Sequence, residues 1–123
     1  MTDHPHKAAD DEELEVQELL NVVVLSFTDV GQFDPHRLFE TFVAIRDATS
    51  RTSQSIVVLN LRMIKLLNSE ALDQLAGLSR ELKATKRTLR LCNVQPVIQD
   101  VLQITGLVRF FDVFPDVSAA TSQ

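Results

Sequence analysis

The amino-acid sequence predicts one α/β domain built on a mixed, mostly parallel sheet of four to five strands with about four helices. Short apolar runs rich in β-branched residues recur at 22–27, 56–61 and 89–94, and strands that are apolar on both faces are typical of parallel sheets. Segments with helical periodicity separate these runs, as the crossover connections of parallel strands require. A length of 123 residues accommodates one domain with a substantial core.

The N-terminal segment differs in composition from the rest of the chain. Residues 1–12 are polar and overlap an acidic run at 10–13, so they predict a flexible acidic tail. The domain is then expected to occupy residues 13–123.

The first strands and the first helix follow from apolar spacing and turn residues. Residues 14–19 have the pattern of a short edge strand, and the uniformly apolar run at 22–27 predicts a central strand. Asp34 followed by Pro35 predicts an N-cap and first helical residue for a helix over 35–48. The apolar face of this helix is expected to comprise Leu38, Phe42 and Ile45.

Two further strand and helix pairs are predicted. Strand 56–61 precedes a helix over 69–84, and strand 89–94 precedes a helix over 96–105 that begins at Pro96. The buried stripe of the first helix is expected to comprise Ala71, Leu72, Leu75, Leu78 and Leu82. The buried side of the second is expected to comprise Val97, Ile98, Val101, Leu102 and Ile104.

The C-terminal part predicts a stop, a strand and a final turn. Gly106 follows the last helix at the position where a left-handed residue is favoured. The aromatic run at 110–114 predicts a short strand, and residues 115–120 predict a terminal helical turn. Sequence patterns do not determine the order of the strands in the sheet.

Composition excludes several function classes. The apolar share of 45% and charged share of 24% are those of globular proteins, and no apolar run is long enough for a bilayer helix. The N-terminus lacks the pattern of a secretory signal, so a cytoplasmic location is expected. A net charge of −5 disfavours a nucleic-acid partner. The one basic cluster is predicted to be a solvated turn and comprises Lys83, Lys86, Arg87 and Arg90.

Motifs of enzymes and cofactor-binding proteins are missing from the sequence. It contains no Gly-rich phosphate loop, zinc-protease motif, nucleophile elbow or Cys pair of the C-x-x-C type. His4 and His6 alone make a weak metal site in a polar tail, so no metal is predicted. Cys92 is expected to be a buried apolar residue. The chain is therefore predicted to be neither an enzyme nor a cofactor protein.

The segment around residue 69 is the most informative one. It follows the carboxyl end of a central strand and opens a helix, which is where open α/β sheets usually carry function. The unpaired N–H groups and positive dipole end at this position favour an anion, such as the phosphate of a phosphoserine. Alternatively, Asn68 or Ser69 is an ordinary N-cap and Glu70 and Asp73 compensate the helix dipole; spacing alone favours the cap.

Several motifs resemble the STAS domain of anti-sigma factor antagonists. The resemblance spans residues 14–117 and is carried by the apolar strand at 56–61 with the segment LNSEAL at 67–72, and by LRLCNVQP at 89–96. The segment VLQITGL at 101–107, which leads into FFDVF at 110–114, resembles the family's Thr-Gly-Leu-like turn before its last strand. The resemblance implies a STAS-like fold and a regulatory, protein-binding function.

The family's loop before its second helix commonly reads Asp-Ser-Ser-Gly, and a partner kinase phosphorylates the second Ser. Aligned without gaps, Asn68, Ser69, Glu70 and Ala71 stand at these four positions. Glu70 thus replaces the family's phosphosite, and Ser69 is the hydroxyl that remains as a candidate phosphosite. A carboxylate mimics phosphoserine only in part, because phosphoserine carries about −1.5 to −2 charges.

The resemblance implies an anti-sigma factor antagonist that regulates transcription by partner switching. The implied partner is an anti-sigma factor with a histidine-kinase-like ATPase fold, docked on the loop and on Asp73, Gln74 and Arg80 of the following helix. The alternative is a constitutive scaffold or transporter-associated STAS module without a phosphoswitch. Nucleotide binding and a homodimer stay open.

Overall fold

The six strands lie in the sheet in the order in which they occur along the chain. The computed structural model describes the backbone of residues 6–8 and 11–122 and the side chains of residues 14–122. The first three strands are antiparallel neighbours, and the third to sixth run parallel. The α/β class and the mixed, mostly parallel sheet are confirmed. The strands are β1 (His6–Ala8), β2 (Asp11–Glu18), β3 (Val22–Phe27), β4 (Ile56–Asn60), β5 (Thr88–Cys92) and β6 (Asp112–Phe114).

Four α-helices connect or follow the parallel strands, in agreement with the sequence. A short 3₁₀ helix at Leu107–Phe110 ends on the first residue of the segment predicted as the last strand, and this strand begins only at Asp112, so it is shorter than expected. Gly106 precedes it with φ of 74°, the left-handed conformation predicted for this position. The helices are α1 (Leu38–Ser50), α2 (Ser69–Ala84), α3 (Pro96–Ile104) and α4 (Val117–Thr121).

The strands extend into the segment predicted as a tail. Leu14 and Val16 are buried and pair with Phe27 and Leu25 of β3. β2 itself begins at Asp11, two residues before the expected start of the domain, and pairs there with β1. β1 pairs with the outer side of β2, so β2 is not an edge strand. Residues 1–5, 9 and 10 of the predicted tail lie outside the described residues.

The first helix begins three residues later than predicted, because Asp34 and Pro35 form a turn instead of a cap. The N–H of Arg37 donates to the carbonyl of Asp34 at 2.9 Å, and Pro35 takes the second position of this turn, which its fixed φ favours. The loop before it is organised by the buried Gln32, whose Oε1 accepts from the backbone N–H groups of residues 28 and 29 at 2.7 and 2.8 Å.

The main core lies between one face of the sheet and α1, α2 and α3. The predicted stripes of α1 and α2 are confirmed, since every residue named for them is buried. Leu75 is fully buried in the middle of α2. Burial of these stripes fixes α2, and with it the start of the helix at Ser69, against the sheet.

The buried side of α3 differs from the prediction. Ile98 and Leu102 are 1% and 0% exposed, but Val97 and Ile104 are 52% and 84% exposed and Val101 is only partly buried. α3 has a polar side, formed by Gln99, Asp100 and Gln103, and a broad apolar side. Periodicity could not determine which part of this broad apolar side packs on the sheet. The structure leaves Val97 and Ile104 facing outwards, while Val101 packs partly against the core.

The prediction that the basic cluster is a solvated turn is wrong for Arg87. Arg87 is partly buried and its guanidinium donates to the carbonyls of Gln54 and Thr49, both at 2.7 Å, and to the hydroxyl of Thr52 at 3.2 Å. This cation therefore fixes the loop between α1 and β4 to the start of β5. Burial lowers the pKa of Arg87 from its usual value.

Candidate functional site

Three polar side chains connect the carboxyl ends of β3, β4 and β5. The Asn60 amide donates to the Ser26 hydroxyl at 3.2 Å, and its oxygen accepts from the Asn93 amide at 3.0 Å and from the Arg62 backbone N–H at 3.2 Å. Asn93 has φ of 55°, a left-handed conformation that Asn tolerates. The network positions the loop that leaves β4, which we call the switch loop (residues 61–68).

The switch loop ends at a capped helix start. The Asn68 side chain accepts a hydrogen bond from the N–H of Ala71 at 2.8 Å, which makes Asn68 the N-cap of α2. Ala71 is fully buried, so this position requires a small side chain. Of the two cap candidates in the sequence, the structure therefore selects Asn68.

Ser69 is the first helical residue and its side chain is exposed. Within the described part of the chain, its hydroxyl makes no hydrogen bond. The first N–H groups of a helix have no intrahelical acceptors, and the Asn68 cap satisfies only that of Ala71. The backbone N–H groups of Ser69 and Glu70 thus remain for an anion near the Ser69 hydroxyl, and the exposed Glu70 carboxylate places one negative charge beside them.

The three side chains predicted to dock a partner lie on the outside of α2, but they differ in exposure and in their hydrogen bonds. Asp73 and Arg80 are exposed. Gln74 is partly buried, and its oxygen accepts from Arg46 of α1 at 3.1 Å. Arg46 also makes a two-point ion pair with Glu81, at 2.9 and 3.1 Å. Gln74 is therefore committed to the contact between α1 and α2.

Sequence reasoning missed an apolar surface beside the switch loop. The Gln95 side chain, one residue before α3, donates to the Arg62 carbonyl at 3.2 Å, which joins the start of α3 to this loop. Leu66 in the loop is 76% exposed. We give the name α3 stripe to the exposed Leu66, Val97 and Ile104 together with the partly buried Val101. Exposed apolar side chains are a common feature of protein-binding surfaces.

Substitution of the cap tests the local geometry. Asn68→Ala is expected to lower the free energy of unfolding by about 1 kcal/mol, because an N–H at the start of α2 loses its acceptor. Ser69→Ala is the matched control and should change stability by less than about 0.5 kcal/mol. Urea unfolding followed by circular dichroism measures both. A larger loss for Ser69→Ala than for Asn68→Ala would show that Ser69 is the cap.

Two features of the described residues concern metal and ligand binding. They contain no group of three or more His, Cys, Asp or Glu side chains arranged to hold a metal ion. A cavity of about 260 Å³ lies between α3 and β6 and is lined by Val94, Gln99, Val113, Phe114 and Pro115. None of these residues has a cationic side chain that could bind a nucleotide phosphate. None of the helices described is long and apolar enough to cross a membrane.

Comparison with known proteins identifies the same domain type. The model of the STAS domain family matches residues 38–120, which include the switch loop, α2 and α3. No curated protein sequence matches the chain.

Solved structures share the fold at low sequence identity. A STAS domain protein described as an anti-sigma-factor antagonist, from Planctomyces limnophilus, is 22% identical with a TM-score of 0.72, covering 87% of this chain and 93% of that one. The phosphorylated form of SpoIIAA, a Bacillus cell fate determinant, is 20% identical with a TM-score of 0.61, covering 86% and 95%. The murine anion transporter Slc26a9 is 17% identical with a TM-score of 0.71, covering 85% and 18%.

Proposed function

The chain belongs to the STAS domain family, and from this membership we propose that it is a non-catalytic regulator that acts as an anti-sigma factor antagonist in a bacterial cytoplasm. In this proposal the unmodified domain binds an anti-sigma factor with a histidine-kinase-like ATPase fold and so releases the sigma factor. The partner phosphorylates Ser69, and the added charge ends the interaction.

The exposure of Ser69 at the start of α2 is the observation that carries the proposal. A kinase needs an accessible hydroxyl, and this one projects from a helix end with two unpaired backbone N–H groups beside it. A phosphate would be accepted there without disturbing the core, because the Asn68 cap and the buried Ala71 hold the helix start in place. Phosphorylation is therefore expected to alter binding much more than folding.

The proposed docking surface combines the outside of α2 with the α3 stripe. Asp73 and Arg80 supply exposed charges, and the stripe supplies apolar area on the other side of the switch loop. A partner that covers both would also cover Ser69, which explains how one phosphate could release it. Gln74 is left out of this surface because Arg46 already holds it.

Two variants test the docking surface. Ile104→Ser and Arg80→Ala are each expected to weaken partner binding several-fold, while the free energy of unfolding changes by only about 0.5 kcal/mol, because both side chains are exposed. Arg51→Ala, an exposed cation at the far end of α1, is the control that should leave binding unchanged. The histidine-kinase-like ATPase is first recovered by affinity capture from the native host. Isothermal titration calorimetry with this ATPase then gives the affinity of each variant. Unchanged affinity for both variants would place the docking surface elsewhere.

The second candidate is a constitutive scaffold or transporter-associated module. Glu70 favours it, because a permanent carboxylate occupies the family's usual phosphosite. The same fold also occurs within the anion transporter Slc26a9. Affinity capture from the native host separates the candidates. Recovery of a histidine-kinase-like ATPase that phosphorylates the chain supports partner switching, whereas recovery of a stable complex without such an enzyme supports the scaffold.

A further inference from the structure

The sheet has a second apolar face, away from α1, α2 and α3. A small cluster is buried there, with every member at most 2% exposed: Val22, Val24, Val58, Cys92 and Ala120. Ala120 belongs to α4, which contacts β4, β5 and β6. In the described part of the chain, α4 is therefore the helix that covers this face.

Arg90 connects the C-terminal segment to the sheet. Side chains alternate along β5, so that Leu89 and Leu91 enter the main core while Arg90 and Cys92 face the other way. One guanidinium nitrogen, Nη1, donates to the Ala120 carbonyl at 2.8 Å and to the Ser122 carbonyl at 3.2 Å. The guanidinium also lies 4.9 Å from the centre of the Phe114 ring.

Besides this arginine, the apolar side chains of α4 that pack on the sheet are those of Ala120, which is buried, and Val117, which is partly buried. The helix has five residues, too few to persist without tertiary contacts, and Ala120 is its one fully buried residue. Its start is capped by Asp116, which accepts from the Ala119 N–H at 2.8 Å. The Nε of Arg90 is buried without a hydrogen-bond partner, so even the closed arrangement leaves the arginine incompletely satisfied.

We propose that residues 115–122 form a C-terminal lid, which opens as a unit while the rest of the domain stays folded, and that Arg90 holds it closed. Opening uncovers an apolar strip that includes Val58 and Cys92, on a face distinct from the proposed docking surface. The lid is thus a conformational device that goes beyond the proposed function and does not depend on it.

The chemical reactivity of Cys92 can be used to measure this opening. It is fully buried under the lid, and burial, with a smaller contribution from the Asp116 charge, raises the pKa of its thiol to about 11. A thiol in this state does not react until it reaches solvent. The rate of its modification by a maleimide at pH 8 therefore measures how often the lid opens.

The decisive comparison pairs a lid variant with a variant of similar stability elsewhere. Arg90→Gln is expected to accelerate Cys92 modification about tenfold, since hydrogen bonds from a charged donor are lost. Asn68→Ala lowers global stability without touching the lid and should leave the rate unchanged. Equal acceleration in both variants would show that Cys92 reacts through global unfolding, and no acceleration in Arg90→Gln would show that Arg90 does not hold the lid.

A second pair keeps the proposal testable if Arg90→Gln does not fold. Asp116→Ala removes the cap of α4 and should accelerate modification several-fold. Asp116→Asn removes the same charge but keeps a capping side chain, so it should react close to the wild-type rate. If both Asp116 variants accelerated Cys92 modification to a similar extent, the loss of the Asp116 charge would be the cause. That result would contradict the lid proposal.

Discussion

Ser69→Asp is expected to weaken binding of the anti-sigma partner about tenfold, equivalent to roughly 1.4 kcal/mol. The new carboxylate lies at the start of α2 beside the exposed Glu70 and about one helical turn from Asp73. The resulting cluster of like charges disfavours an acidic or apolar partner surface. Full phosphorylation should have a larger effect, because phosphoserine carries about −1.5 to −2 charges.

Two further variants of the same segment serve as controls for this prediction. Ser69→Ala should bind as the wild type does, because the hydroxyl makes no hydrogen bond within the described residues. Glu70→Ser brings the loop closer to the family's sequence, and it should enlarge the difference that phosphorylation makes. Surface plasmon resonance with the purified ATPase measures all three variants. Equal affinity of Ser69→Asp and Ser69→Ala for the ATPase would show that negative charge at residue 69 does not control binding.

Leu75→Ala is expected to lower the free energy of unfolding by roughly 2–5 kcal/mol, as removal of a large apolar side chain from a packed core usually does. Leu75 is fully buried between α2 and the sheet. Asp73→Ala on the exposed side of the same helix is the matched control and should cost about 0.5 kcal/mol or less. Urea titration of both variants gives the comparison. A loss below about 1 kcal/mol for Leu75→Ala would mean that the core around α2 is assigned incorrectly.

Sequence patterns predicted most of the fold because apolar residues recur at spacings of three and four along α1 and α2. The stripes predicted from this spacing are buried in the structure, although Phe39 and Val43 of α1 are apolar and exposed outside its stripe. The apolar side of α3 is wider than the part that the structure buries, so Val97 and Ile104 were assigned to the core together with Ile98 and Leu102. Tertiary packing, which periodicity does not encode, turned the stripe of Ile98 inwards.

Long-range polar contacts were the other part that sequence reasoning could not supply. Arg87 and Arg90 belong to a basic cluster that favoured a solvated turn. Their acceptors lie far away in sequence, at Gln54 for Arg87 and at Ala120 for Arg90. Strand order was undetermined for the same reason, since no local pattern specifies which strands become neighbours.

The position of the candidate site in the chain could be predicted from the sequence, but the roles of its individual residues could not. The end of a central strand followed by a helix start located the segment at 67–72. Asn68 and Ser69 are both good caps, so spacing could not separate them, whereas the hydrogen bond from Ala71 to Asn68 does. Gln74 was expected to be available to a partner, but its contact with Arg46 depends on how α1 packs beside α2.

The phosphorylation assay tests the central claim most directly. The purified chain and its Ser69→Ala variant are incubated with the captured ATPase and ATP, and the phosphate is located by peptide mass analysis. The account predicts one phosphate on Ser69 in the wild type and none in the variant. Phosphate on another residue, or no phosphate at all, would contradict it, leave Ser69 as an ordinary helix residue and favour the constitutive scaffold.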